Sequence, residues 1–200
     1  MMVGEEIGST SPSPVWALAE QVRARVRDYL QLTKARLSLT VVLSGVVGYW
    51  LGASTIDPVH LLWFTFGTLS VVGGANAFNQ IWERELDALM VRTAQRPLPT
   101  GRISVGEAMI AASLASSGGL SILFLRSGWL TFGLGLLALL VYVLVYTPMK
   151  RRSSWSTLPG AISGAIPTLM GFAAASGELL PLAGCLFGIV FLWQFPHTWA

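Results

Sequence analysis

Long runs of apolar residues without a charged side chain limit most strongly how this chain can fold. Six of these runs reach about the 20 residues that a helix needs to cross the hydrocarbon core of a bilayer. They cover 37–54, 59–82, 103–125, 127–149, 157–176 and 179–200, and Glu107 is the one charged residue within them. The sequence therefore predicts an all-α, polytopic bundle of transmembrane helices with about six spans.

The composition excludes the common classes of soluble protein. Charged residues are 12% of the chain and hydrophobic residues are 53%, whereas soluble domains carry about 25% charged residues. Disordered chains are poor in apolar residues, so disorder of the whole chain is excluded as well. The single cysteine, Cys185, allows no internal disulfide. What remains is a membrane protein that has the lipid bilayer as a partner.

The basic residues fall almost entirely on alternate connections between the apolar runs. Twelve of the thirteen Lys and Arg residues precede the first run, or lie between the second and third or the fourth and fifth runs, and only Arg126 lies on an opposite connection. Because basic loops stay on the cytoplasmic side, we expect a cytoplasmic amino terminus and a location in the inner (cytoplasmic) membrane of the cell. This distribution accounts for the net charge of +3 without a nucleic acid partner.

The sequence before the first apolar run divides into two parts. Residues 1–14 are polar and are predicted to be a disordered tail, and Glu5 and Glu6 stand where a secretory signal would carry basic residues, so no cleaved leader is expected. Residues 15–36 are basic, with apolar residues at helical spacing. Two interpretations remain open, an amphipathic helix on the inner membrane surface and a basic flank that only sets the topology. The transmembrane domain is expected to cover 37–200.

Three oxygen-bearing side chains follow one another at helical spacing where the second apolar run ends. Asn79, Glu83 and Asp87 stand four residues apart, and four residues turn an α-helix by about 400°, so the three lie on one face. We call them the acidic stripe. Two carboxylates and an amide are hard oxygen ligands of the kind that Mg²⁺ binds, together with water and substrate phosphates. The alternative is that residues 83–87 form a solvated helix end, in which the charges have pairing partners nearby.

Basic residues accompany the acidic stripe on the expected cytoplasmic side. Arg92 and Arg96 follow it closely in sequence, and Lys150 belongs to the second basic connection. A metal ion with Arg and Lys side chains suits a polyanionic ligand. Tyr146 stands four residues before Lys150, which places both on one helix face. For Arg151 a charge that only sets the topology is the stronger interpretation.

These motifs resemble those of a known family. The acidic stripe and residues 92–98 resemble the first acidic motif of the UbiA superfamily of intramembrane prenyltransferases, and Tyr146 with Lys150 resembles its Tyr/Lys motif. Glu83 stands where that superfamily commonly has Asp, which keeps the type of ligand. Four further stretches are similar to one branch, the protoheme IX farnesyltransferases (heme o synthases). These stretches are 32–36, 146–153, 160–167 and 191–197.

The resemblance implies a reaction and a role for each site residue. A farnesyl group would pass from farnesyl diphosphate to a vinyl group of protoheme IX, giving heme o and diphosphate. Mg²⁺ would be held by Asn79, Glu83 and Asp87, which form the expected catalytic set together with Tyr146 and Lys150. The expected substrate-binding residues are Lys34, Arg92, Arg96, Arg151 and His197.

The resemblance also predicts that the chain is incomplete. Members of the branch continue for several more helices with a second aspartate motif, whereas this chain stops at Ala200 within an apolar run. Haem-handling or oxidase-assembly proteins are the macromolecular partners expected for this reaction. Two other functions stay open: a UbiA-type prenyltransferase with an aromatic quinone precursor as acceptor, and a non-catalytic membrane assembly or transport protein.

Overall fold

The structure, a computed structural model, describes the backbone of residues 14–199 and the side chains of residues 15–196. The expected tail over 1–14 lies outside this part, apart from Pro14, and so does the side chain of His197. Within the described residues the regular elements are helices and no strand occurs. The predicted all-α fold class is therefore confirmed.

The helices follow one another with short connections. The order is α1 (Pro14–Leu32), α2 (Ala35–Gly52), α3 (Pro58–Leu89), α4 (Val105–Leu140), a π-helical segment (Val141–Tyr146), α5 (Thr147–Met149), a 3₁₀ turn (Ser154–Ser156), α6 (Thr157–Ser176) and α7 (Pro181–Trp199). In the described chain, four segments are long and apolar enough to cross a membrane: α2, α3, the stretch from α4 through α5, and the 3₁₀ turn with α6. The apolar part of α7 is shorter.

Gly128 divides α4 into two arms that double back on each other. Its φ of 83° and ψ of 176° lie in a region that essentially only glycine adopts. The rings of Phe124 and Phe132 lie 5.6 Å apart, although eight residues of straight helix would separate them by about 12 Å. The expected third and fourth spans lie on these two arms. The total of six spans stays a prediction.

Helix α3 carries the acidic stripe out of its apolar run without interruption. Asp57 caps the first turn, because its carboxylate accepts hydrogen bonds from the backbone N–H groups of Val59 and His60 at 2.9 and 3.1 Å. The helix then continues past Trp82, where the apolar run ends. All three residues of the stripe therefore lie on one continuous helix and face the interior of the bundle.

Helix α6 is the most deeply packed helix, and glycines bring α2 against it. A methyl group placed on Gly171 would collide with the backbone oxygen of Gly45, and one on Gly48 would collide with that of Thr168. Side chains at these positions are excluded by the facing backbone. This close approach of small residues is typical of helix packing in membranes, and it fixes α2 and α6 as two walls of the cavity described next.

Candidate functional site

Each member of the acidic stripe is buried and contacts a cation from a different segment of the chain. The contacts are Lys34 Nζ to Asn79 Oδ1 at 2.6 Å, Lys150 Nζ to Glu83 Oε1 at 3.0 Å and Arg96 Nη1 to Asp87 Oδ2 at 2.7 Å. Buried carboxylates require such partners, because an unpaired charge away from water is strongly disfavoured. Three cations face two carboxylates, so the site has a net positive charge.

Lys34 reaches the stripe from a bend between α1 and α2. Its backbone is left-handed, with φ 48° and ψ 52°, which is uncommon for a residue other than glycine. The bend places its side chain among the helices, and burial is the main cause that lowers the pKa of Lys34 to about 8. A strained, desolvated lysine directed at the stripe is typical of a ligand-binding position.

Arg96 comes from the connection between α3 and α4, which folds back over the stripe. The Thr93 hydroxyl is buried and donates to the backbone oxygen of Asp87 at 2.9 Å. Leu98 and Ile103 are buried in the adjoining core. These contacts hold the loop against α3 and keep Arg96 next to the last carboxylate of the stripe. Arg92, in the same loop, is exposed.

Lys150 reaches the acidic stripe from the end of α5, which directly follows the π-helical segment. The Thr147 hydroxyl donates to the backbone oxygen of Tyr142 at 2.8 Å and accepts from Asn79 Nδ2 at 3.2 Å. This bond ties the start of α5 to the acidic stripe one turn before Lys150. A π-helical turn inside an α-helix is frequent at functional sites. Arg151 is exposed and donates to the backbone oxygen of Trp82.

A cavity of about 340 Å³ opens directly beside these charges. Lys150 lines its charged end, and Tyr146 lines it together with Tyr142, the two rings lying 5.1 Å apart. Apolar residues of α2, α3, α4 and α6 form most of the rest. These are Leu37, Val41, Val71, Val72, Ala75, Ala138, Leu139, Ala161, Pro167 and Met170. The volume is at the lower end of the ~300–1,000 Å³ range of ligand pockets.

A polar network that the sequence motifs do not predict lies beside this cavity. Asn76 is buried on α3, and its amide donates to Ser38 Oγ of α2 at 3.0 Å. Its carbonyl oxygen accepts from the Tyr142 hydroxyl at 3.0 Å. A detectable signal was present, because Asn76 lies one turn before Asn79 inside an apolar run, where a polar residue is unusual.

The structure thus brings together most of the residues predicted for the site. The acidic stripe, Lys34, Arg96 and Lys150 form one cluster. Tyr146 lines the cavity without a hydrogen bond from its hydroxyl to a described residue, and Arg92 likewise makes no hydrogen bond or ion pair within the described part. The side chain of His197 lies outside the described residues, so its role stays a prediction.

The acidic stripe fits Mg²⁺ in its ligand chemistry. The ion pairs use one oxygen of each carboxylate, so the other oxygen of each is outside these pairs. Within the described residues, no group of three or more His, Cys, Asp or Glu could hold a metal ion by itself. Mg²⁺ does not need such a group, since it commonly binds one or two carboxylates and completes its shell with water and substrate phosphates.

Comparison with known proteins identifies the family of this chain. Residues 41–200 match the UbiA prenyltransferase family, which is more than half of the chain. The chain belongs to this family. The resemblance predicted from the acidic stripe and the Tyr/Lys motif is confirmed, and the apolar helices belong to a multi-pass membrane protein.

The curated relatives point to one branch of the family. A protoheme IX farnesyltransferase of Christiangramia forsetii is 47% identical over 86% of this chain and 57% of its own length. A protein of the same name from Anaeromyxobacter dehalogenans is 40% identical over 98% of this chain and 64% of its own length. This chain therefore spans about three fifths of the length of these relatives.

Solved structures share the fold. A structure from work on digeranylgeranylglyceryl phosphate synthase in membranes superposes with a TM-score of 0.76 at 22% identity, over 86% of this chain and 60% of that chain. A UbiA homologue from Archaeoglobus fulgidus bound to GPP and Mg²⁺ superposes with a TM-score of 0.73 at 19% identity, over 86% of this chain and 62% of that chain. At these identities the likeness concerns the arrangement of helices.

Proposed function

We propose that the protein transfers a farnesyl group from farnesyl diphosphate to a vinyl group of protoheme IX, giving heme o and diphosphate. Curated relatives at 40–47% identity carry the name of this activity. The fold neighbour from A. fulgidus binds a prenyl diphosphate together with Mg²⁺. These similarities support both the donor and the metal proposed here.

The observation that supports the proposal most strongly is that Lys150 belongs both to the charged cluster and to the lining of the cavity. Its ammonium contacts Glu83 at 3.0 Å in the charged cluster, and the same side chain lines the apolar cavity. A ligand with a polyanionic head and a hydrocarbon tail fits this junction. The head would lie among the cations and the acidic stripe, and the tail would lie between α2, α3, α4 and α6.

The first chemical step breaks the bond between the farnesyl carbon and the diphosphate oxygen. The electron pair leaves with the diphosphate, so the charge that develops there must be stabilised. Lys34, Arg96 and Lys150 would release their contacts with the acidic stripe when substrate binds. Their N–H groups would then donate hydrogen bonds to the diphosphate oxygens. Mg²⁺ bound by the stripe would supply further neutralisation of the leaving group. Arg92 and Arg151, which are exposed, are proposed to bind substrate at the edge of the site. His197 is also proposed to contact substrate.

The apolar cavity protects the allylic cation that this step leaves. Its lining keeps water away from the carbon until the acceptor attacks, and the rings of Tyr142 and Tyr146 can stabilise positive charge by cation–π attraction. The vinyl group then forms the new carbon–carbon bond. Addition of water to the neighbouring carbon, with release of a proton, gives a hydroxyethylfarnesyl haem.

The distribution of charge supports a location in the inner membrane with the site on the cytoplasmic side. The basic connections lie at the end of the bundle that holds the site, so the site would face the cytoplasm in an inner membrane. Proteins that handle haem or assemble oxidases are proposed as partners on that account. An aromatic quinone precursor is the alternative acceptor within the same family.

The test is mass spectrometry of haems extracted from membranes of a host that lacks its own heme o synthase. The chain is expressed alone and together with the remaining part of a relative such as the C. forsetii protein. Lys150→Met is compared with Arg152→Met, which removes an exposed charge from the same basic connection. We expect a peak at the mass of hydroxyethylfarnesyl haem that Lys150→Met loses and Arg152→Met retains.

Two results would contradict the proposal. One is the absence of the haem product from both the chain and its combination with the relative, when both are present in the membrane. The other is a prenylated aromatic acid with unmodified haem when the two acceptors are offered in parallel, which would assign the protein to the alternative acceptor.

A further inference from the structure

Helix α1 presents an apolar surface that the described part of the chain leaves uncovered. Five residues form it and are between 53% and 73% exposed: Val15, Leu18, Val22, Val26 and Leu30. At about 100° of rotation per residue, all five fall within an arc of roughly 120° on the helix. We call this arc the α1 stripe. Apolar arcs of this width are typical of helix faces that are buried against other apolar groups.

A different face of α1 holds the helix onto the bundle. Asp28 is buried and accepts from Arg102 Nε at 2.9 Å, and Leu32 is fully buried in the core beside α3. The amide of Gln80 donates to the backbone oxygens of Gln31 and Leu32 at 2.7 and 3.0 Å. These contacts fix the rotation of α1 about its own axis, so the exposure of the α1 stripe is set by the fold.

Charge on α1 is arranged beside the stripe. Arg23 and Arg27 lie next to the α1 stripe, on the side of the helix away from Asp28, and both are exposed. Long basic side chains next to an apolar face can extend toward phosphate groups while their stems stay in apolar surroundings. This combination of apolar stripe and flanking arginines complements an anionic lipid surface.

The position of α1 in the chain brings it to the boundary of the bilayer. Only Thr33 and Lys34 separate it from α2, the first segment apolar enough to cross a membrane. The left-handed backbone of Lys34 ends the helix axis there, so α1 need not continue the direction of α2. Other apolar residues of α2, among them Leu39 and Leu43, are exposed as well.

We propose that α1 lies in the plane of the membrane interface, with the α1 stripe in the acyl boundary and Arg23 and Arg27 on the phosphates of anionic lipids. This inference rests on the chain being a membrane protein of the UbiA family and does not require the proposed reaction. It also links the lipid surface to the site, since Arg25 donates to the backbone oxygen of Arg102 at 2.9 Å in the loop that carries Arg96.

The test measures the depth of spin labels in the full chain, reconstituted in nanodiscs of phosphatidylcholine with phosphatidylglycerol. In a Cys185→Ser background, a cysteine is placed at Val22 in the α1 stripe or at Glu20, which is also exposed but lies outside the α1 stripe. We expect the label at position 22 to be relaxed by oxygen and protected from a water-soluble nickel complex. The label at position 20 is expected to show the opposite behaviour.

The same samples test whether lipid or a second copy of the chain covers the α1 stripe. Equal exposure of both labels to the nickel complex would overturn the proposal, and so would dipolar broadening between labels at position 22, which would assign the stripe to a second copy of the chain. The role of anionic lipid is tested by Arg23→Gln with Arg27→Gln. These substitutions should make the position 22 label shallower in mixed nanodiscs, and an unchanged depth would contradict the phosphate contacts.

Discussion

At the scale of single residues, the site consists of buried carboxylates, each paired with a cation that is itself partly exposed. Glu83 and Asp87 are almost completely buried, yet each has a cation at hydrogen-bonding distance. Removing one partner of such a pair leaves an uncompensated charge, which is more costly than removing both. The pairs therefore hold the acidic stripe in place, and in the proposed reaction they keep cations next to the diphosphate.

The amide of Asn76 organises the neutral part of the site. Asn76→Leu leaves the Tyr142 hydroxyl and Ser38 without their shared partner, and a buried polar group left unsatisfied costs about 1–3 kcal/mol. We expect a clearly lower thermal unfolding midpoint for the chain in detergent. Thr40→Val serves as the control, because Thr40 is exposed and bonds only within α2. Equal midpoints for the two variants would show that the network adds nothing to stability.

At the scale of secondary-structure elements, glycine contacts determine the shape of the bundle. The α2–α6 interface requires Gly48 and Gly171, and the reversal within α4 requires Gly128. The first kind of glycine permits two backbones to approach, and the second permits a backbone conformation that side chains disfavour. Both kinds position the walls of the cavity.

Gly171→Ala tests the α2–α6 interface. The new methyl group would meet the backbone of Gly45 and Tyr49, so α2 must move, and overpacking of this kind costs about 1–3 kcal/mol. The unfolding midpoint should fall relative to wild type. Gly184→Ala on α7 places a methyl group where nothing lies within 4 Å and should leave the midpoint unchanged. A similar midpoint for both variants would contradict the close packing.

Hydropathy and spacing predict the helices well and the contacts between them poorly. The acidic stripe follows from helical geometry alone, since Asn79, Glu83 and Asp87 share one helix. The partner of each oxygen does not follow from helical geometry, because Lys34 and Lys150 come from segments distant in sequence. The bond between Asn76 and Tyr142 spans 66 residues, so it becomes visible only when the helices are packed.

At the scale of the whole molecule, the two ends of the bundle differ in chemistry. One end gathers the acidic stripe with Lys34, Arg96 and Lys150. The opposite end carries the cation–π contact of Arg126 with Trp63, at 5.0 Å from the ring centre. The cavity opens beside the charged end. The proposed binding of an amphipathic anion therefore belongs to one end of the bundle.

Equilibrium binding of farnesyl diphosphate to the purified chain in lipid nanodiscs, with and without Mg²⁺, tests this claim most directly. Asp87→Asn removes a charge from the acidic stripe, and Glu85→Gln removes an exposed carboxylate from the same helix. Binding should depend on Mg²⁺ in wild type and in Glu85→Gln, and it should weaken at least tenfold in Asp87→Asn, which corresponds to about 1.4 kcal/mol. Mg²⁺-dependent binding by Asp87→Asn as tight as that of wild type would contradict the account.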